Sequence, residues 1–357
     1  MKYLKPSVLA ASLLLIGATQ ANAGYLFTDL GPLNSYAIGI NNAGQVVGAS
    51  IHATLWSGGI ATDLGTLGGT HSEAHGINNA GQVVGASGTT GDAARHATLW
   101  SGGTATDLGT LGGTHSWAYG INNAGQVVGA SYTTGDAVFH ATLWSGGTAT
   151  DLGTLGGTHS YASGINNAGQ VVGGSYTTGD ADFHATLWSG GTATDLGTLG
   201  GSGSVANGIN NAGQVVGASH TTGSTGWHAT LWSGGTATDL GTLSGTHSWS
   251  WAQGINNAGQ VVGYSDGRPT LWSGGTGTDL NSFLSASNVN DGWVLGDVSG
   301  INDNGWIVGT AFNLKTGEEH AYMLSISAVP EPETSAMLLA GLGLVGAVAR
   351  RRKTTQA

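Results

Sequence analysis

Six histidines recur at one place in a repeated pattern, His52, His96, His140, His184, His228 and His320, each followed by alanine. An aspartate recurs in Thr-Asp-Leu, as in Asp63, Asp107, Asp151 and Asp195. Imidazoles gathered near one axis can bind a transition metal, and carboxylates can act as acids, bases or ligands. Either chemistry requires convergence, since a metal takes three or four ligands at about 2 Å from one point. Residues repeated around a wide axis do not converge, so a structural use is expected. Each histidine would open a strand and bond neighbouring backbone, each aspartate would accept in a turn or between repeats, and Trp56, Trp100, Trp144, Trp188, Trp232 and Trp272 at +4 would fill the spaces between units. Asp136, Asp180 and Asp182 lack the alternating acids of an EF-hand loop. No metal, cofactor or catalytic residue is expected.

A second group could bind a ligand. His115 and Trp117, His159 and Tyr161, and His247 and Trp249 lie in Thr-His-Ser-aromatic segments between repeats, and variable inserts carry Tyr132, Asp136, Tyr176 and Asp180. Aromatic faces beside carboxylates and hydroxyls suit carbohydrate, because sugar C–H groups stack on rings while hydroxyls take hydrogen bonds.

The elements that must position these residues follow from the repeat. Gly-Ile-Asn begins at Gly39, Gly76, Gly120, Gly164, Gly208, Gly254 and Gly300, and each copy precedes a turn and a Gln-Val-Val-Gly-like segment. A period near 44 residues signals a stacked or ring-shaped repeat, because one short unit cannot bury its apolar side chains alone. Within a unit, Asn79-Ala80-Gly81 and Ser101-Gly102-Gly103 supply the turns of two hairpins, and an insert joins them into a four-stranded antiparallel meander. The expectation is an all-β, seven-bladed β-propeller spanning residues 24–328, with an open β-solenoid as the alternative. The first Thr-Asp-Leu, at Thr28, precedes the first Gly-Ile-Asn, and no copy follows the last. A strand around Phe27 to Leu30 is therefore predicted to complete the seventh blade and cover its open edge. In that geometry the insert and the connection between blades share one face.

Between Gly24 and Val329 there are eighteen acidic residues against Arg95, Arg268 and Lys315, a formal −15. This charge disfavours nucleic acid and anionic membrane surfaces. The absence of cysteine removes disulfides and thiol chemistry.

Both ends read as addresses. Lys2 and Lys5, the apolar run Val8 to Ile16 and Ala21-Asn22-Ala23 make the three parts of a signal peptide over residues 1–23, a helix cut by signal peptidase after Ala23. Residues 329–357 hold Pro330-Glu331-Pro332, an apolar run Ala336 to Ala349 and Arg350-Arg351-Arg352-Lys353. That hydrophobic helix rises about 21 Å against roughly 30 Å of hydrocarbon, so it suits transient insertion with the basic cluster inside.

This tail closely resembles the PEP-CTERM sorting signal. The resemblance implies processing by an exosortase and delivery to the surface or surroundings of a Gram-negative, exopolysaccharide-making bacterium, with a precursor held briefly in the inner membrane. The domain resembles the extracellular HAF repeat family through its His-Ala pairs and its Gly-Ile-Asn-Asn-x-Gly-x-Val-Val-Gly run. That family implies an exported repeat protein and no established activity. The expected role is a noncatalytic surface or matrix component that binds exopolysaccharide or matrix protein. The alternative is a glycan lyase or hydrolase, whose best candidates lie in the irregular segment carrying Asp291, Asp297, Asp303 and Lys315.

Overall fold

Each repeat becomes one sheet. The computed structural model describes residues 24–31, 34–223, 226–245 and 249–326. The signal segment with Ala23, the tail with Pro330, Glu331, Pro332, Arg350, Arg351 and Arg352, and His247 lie outside the described residues. Among the described residues no helix is long and apolar enough to cross a membrane.

Residues Tyr25–Ile326 form seven four-stranded antiparallel sheets, the blades of a β-propeller. Blade 2 is typical: an inner strand Gly68–Ile77, then Val83–Thr89, Arg95–Ser101 and an outer strand Thr104–Asp107. Gly81 N–H donates to the Asn78 carbonyl at 3.0 Å, and Gly81 adopts φ +77°, the left-handed conformation glycine reaches without strain. The inner strand is longer than expected. The Thr-His-Ser segment, predicted as a connection between blades, is its first half, because Ser72 and Gly68 still pair with Ser87 and Thr89 of the second strand.

Both faces of the second strand are buried, which explains a Val-Val run where a half-exposed strand would alternate. Val83 packs with Val47 and Trp100 on one side, and Val84 packs with Val127 and Trp144 on the other. Each fully buried valine contributes on the order of 1.5–3 kcal/mol. The following glycine has a separate cause. The inner strand changes register between Ala74 and Gly76, and a Cβ on Gly85 would stand 1.9 Å from the Glu73 carbonyl oxygen. The repeated tryptophans fill the clefts between adjacent blades, as their +4 spacing predicted.

The ring closes. Blade 7 comprises Trp293–Ile301, Ile307–Asn313, Glu318–Ile326 and, as its outer strand, Tyr25–Asp29. This is the predicted clasp, shifted slightly toward the N-terminus, and it excludes the open solenoid. Phe27 packs beside Tyr322 and Leu324 in the blade 7 core.

Two closed circuits of hydrogen bonds bind the inner strands at one end of the channel. Asn122 Nδ2 donates to the Asn166 carbonyl at 3.1 Å, Asn166 repeats this to Asn210, and Asn302 completes the circle on the Asn41 carbonyl at 2.9 Å. In the second circuit Asn123 N–H donates to Asn167 Oδ1, and Asp303 N–H closes on Asn42 Oδ1, both at 3.0 Å.

Candidate ligand-binding mouth

The repeated histidines stand at the third strand of each blade and face the outer strand. Nδ1 of His52, His96, His140, His184 and His228 lies 2.7–2.8 Å from Asp63, Asp107, Asp151, Asp195 and Asp239, and His320 pairs with Asp29. In blade 6, Arg268 takes the histidine's place and stands 3.7 Å from Asp279. The second carboxylate oxygen accepts from a turn, as from Gly109 N–H at 2.8 Å on Asp107. His52 and His184 also reach backbone carbonyls through Nε2. These pairs fasten outer strands to their blades. Among the described residues no three histidines or acids are placed to hold a metal ion.

The channel has three layers. A Gly-Ile collar lines its middle, and the asparagine circuits line one mouth around a cavity of about 230 Å³. At the opposite mouth stands the residue before each Gly-Ile-Asn: Ile38, His75, Tyr119, Ser163, Asn207, Gln253 and Ser299. Together with Trp117, Ala130, Tyr132, Phe139 and Tyr161 they line a cavity of about 560 Å³. Aromatic side chains from blades 3 and 4 form one wall. Ser163, Asn207, Gln253 and Ser299 add hydroxyls and carboxamides around the rest of the ring, which Ile38 and His75 complete. Burial pushes the Tyr161 hydroxyl up to about 12 and raises that of Tyr119, so both phenols are neutral donors and acceptors.

Three sequence-predicted residues, Trp117, Tyr132 and Tyr161, meet at this mouth. His115 stands behind Trp117, with ring centroids 5.9 Å apart, and its Nδ1 accepts from Arg95 N–H at 3.0 Å. Tyr176, His159 and Asp180 belong to a neighbouring cavity of about 420 Å³, with Phe139 and Thr158. Asp180 accepts from Thr158 N–H and Oγ1 at 2.7 and 2.9 Å, and Asp136 accepts from Thr114 N–H at 2.7 Å. Both carboxylates thus tie an insert to the start of an inner strand.

Trp249 lies in neither cavity and is 46% exposed. Blade 6 has a longer connection, and Ser250 Oγ accepts from Ala229 N–H at 2.9 Å just as Ser116 Oγ accepts from Ala97 N–H. Trp251, not Trp249, is therefore the counterpart of Trp117, and it packs against Trp227 at 5.1 Å.

Sequence reasoning passed over Tyr119, Phe139 and the ring of positions before Gly-Ile-Asn. The available signal was a position that varies beside a tripeptide that does not. It also passed over a charged cluster at this rim. Glu73 and Arg95 occupy the places that Trp117 and Phe139 hold in blade 3. Glu73 lies 3.5 Å from His75 Nε2 and 3.0 Å from Arg95 Nη2, while His75 Nδ1 donates to the Ala118 carbonyl at 2.8 Å. The His75 interaction, opposed by partial burial and reinforced by Arg95, holds the Glu73 carboxyl down at about 2. The acids proposed for an enzyme are dispersed. Asp303 sits in the asparagine circuit, Asp297 beside Tyr264, and Asp291 at the end of the short helix Ala286–Asn290.

Residues 328–353 match the PEP-CTERM protein-sorting motif. That motif implies exosortase-dependent export to the cell surface of a Gram-negative bacterium. No curated protein matches the chain. Among solved structures, the crystal structure of TolB from Acinetobacter baumannii is similar over 82% of this chain and 63% of its own, at 11% identity and a TM-score of 0.41. The chain therefore spans less than two thirds of that structure's length.

Proposed function

We propose that this is an exported, noncatalytic binding module, of the HAF repeat type, which holds a polysaccharide of the cell surface or matrix at the variable mouth of its propeller. Signal peptidase and exosortase would process its two ends, with the precursor anchored briefly in the inner membrane by the tail. The observation that carries the reading is the lining of the 560 Å³ cavity, in which the rings of Trp117, Tyr119, Tyr132, Phe139 and Tyr161 are joined by the hydrogen-bonding side chains of Ser163, Asn207, Gln253 and Ser299. Ring faces together with hydrogen-bonding side chains suit a sugar, whose C–H and O–H groups point in different directions.

The charged cluster beside this cavity favours binding over turnover. Glycoside hydrolysis uses two carboxyl groups, one of them a proton donor. Glu73 is ionised and paired with Arg95, and no Asp or Glu is among the described residues lining the cavity. A lyase or hydrolase remains the competing reading, with His75 and Tyr119 as its acid–base groups.

The test is a pull-down of the released protein on exopolysaccharide from the producing bacterium, with reducing ends and unsaturated products assayed in parallel. Saturable retention that falls about tenfold or more in Trp117→Ala, with no product formed, is expected. Product formation abolished by His75→Ala would establish the enzyme instead. Retention unaltered by Trp117→Ala would remove the mouth as the binding site.

A further inference from the structure

The two cavities on this face share a wall. Phe139 lines both the mouth and the outer cavity with Thr158, His159, Tyr176 and Asp180. Its ring centroid stands 5.9 Å from that of Tyr132 on the inner side and 4.6 Å from that of His159 on the outer side, and His159 continues to Tyr176 at 6.3 Å. Aromatic surface thus runs from the channel mouth across blade 3 to Tyr176 at the end of the second strand of blade 4, Val171–Thr177, where the insert begins. In blade 2 the same path is interrupted, because Arg95 and Glu73 replace the two rings. The platform therefore extends toward blade 4, where Phe183 links Tyr176 at 4.9 Å back to Tyr161 at 5.6 Å, and not toward blade 2.

We infer that the two cavities are consecutive subsites of one groove, with Phe139 between them, and that the groove takes an uncharged polysaccharide chain over several sugar units. This rests on the carbohydrate reading above and narrows it. A single-sugar site would need only the inner cavity. The outer cavity supplies the same chemistry again, a ring face from Tyr176 beside the Thr158 hydroxyl and an imidazole whose Nδ1 is taken by that hydroxyl at 2.7 Å. Charge sets the polymer class. The domain carries its formal −15, and its three cations are outside both lining sets: Arg95 pairs with Glu73, Arg268 stands 3.7 Å from Asp279, and Lys315 is in blade 7 near Gly292. No Lys or Arg is among the described residues lining either cavity, so carboxylated or sulfated chains meet a repulsive field and no ion-pair partner.

The experiment uses the full released protein and cell-free exopolysaccharide of the producing bacterium. The polysaccharide is split by anion exchange into neutral and acidic fractions, and the neutral fraction is partly hydrolysed and sized from single sugars to long oligomers. Retention of the neutral fraction is expected, with affinity rising with length. Tyr176→Ala should weaken long fragments about tenfold and leave short ones unchanged, whereas Phe139→Ala should weaken both. His159→Ala replaces Tyr176→Ala if the latter's thermal melt is shifted. Affinity independent of length, a silent outer-cavity variant, or retention of the acidic fraction alone would each overturn the two-subsite inference while leaving a sugar-binding mouth in place. Retention of neither fraction would remove the carbohydrate reading itself, and this inference with it.

Discussion

His320 Nδ1 lies 2.8 Å from Asp29 Oδ1, across 291 residues of sequence. The same histidine–aspartate pair closes single blades elsewhere, where its members are 11 residues apart. In blade 7 it joins the two ends of the ring, with Leu30 N–H donating to the Ala321 carbonyl beside it at 2.9 Å. A local fastening has become the closure of the whole domain.

The clasp should matter through its strand more than through this pair. Asp29→Ala is expected to cost about 0.5–1 kcal/mol, as Asp107→Ala should, because both carboxylates are partly exposed. Deleting residues 25–29 also uncovers Tyr322 and Leu324 and leaves an open sheet edge. Thermal melts should show a fall on the order of 10 °C for the deletion. Equal, small shifts for all three variants would mean that ring closure adds no stability.

The asparagine circuit should be more demanding than any surface pair. Asn122 is buried; its Oδ1 accepts from Ala124 and Gln126 N–H, while Nδ2 donates to Gln126 Oε1 and the Asn166 carbonyl, all within 3.1 Å. Asn122→Ala strands these partners, and about 2–4 kcal/mol should be lost in denaturant unfolding. Asn123→Ala, at an exposed position, should lose less. Reversal of that order would show that the circuit is not a source of stability.

Acid should loosen blade 2 through Glu73. Its carboxyl is depressed from 4.5 to about 2, so its contribution is complete above pH 4.5 and disappears as pH falls toward 2. The side chain is 36% exposed, and solvent screening limits the effect to about 1 kcal/mol or less. Melting temperatures of Glu73→Gln and the native protein should differ at neutral pH and converge near pH 2. Parallel profiles throughout would contradict the pairing with His75 and Arg95.

The tail should control release. Replacing Pro330-Glu331-Pro332 with alanines disrupts the matched sorting motif and should leave an uncleaved precursor in the membrane fraction, with little protein outside the cell. Ordinary release of this variant, measured by immunoblot of cell and medium fractions, would contradict exosortase dependence.

Local chemistry made much of the fold legible. Asn-Ala-Gly and Ser-Gly-Gly turns, Val-Val pairs and tryptophans at +4 act within one repeat or on its neighbour, so strands, hairpins and blade number could be read in order. The displaced Thr-Asp-Leu at Thr28 even disclosed the closing strand, because an unpaired copy at one end must meet a gap at the other. Sequence by itself thus determined the repeat, the closure and the sorting address. The site was a different matter. Ile38 and Ser299 are neighbours only because the ring closes, and the change of register after Ala118 places Tyr119 at the channel mouth. The two-residue shift that substitutes Trp251 for Trp249 is set by the hydrogen bond of Ser250 to the preceding blade. Which side chains share a cavity depends on distances between blades and on where an irregular connection resets the alignment, and only the tertiary structure decided those, because the spacing within one repeat carries neither quantity.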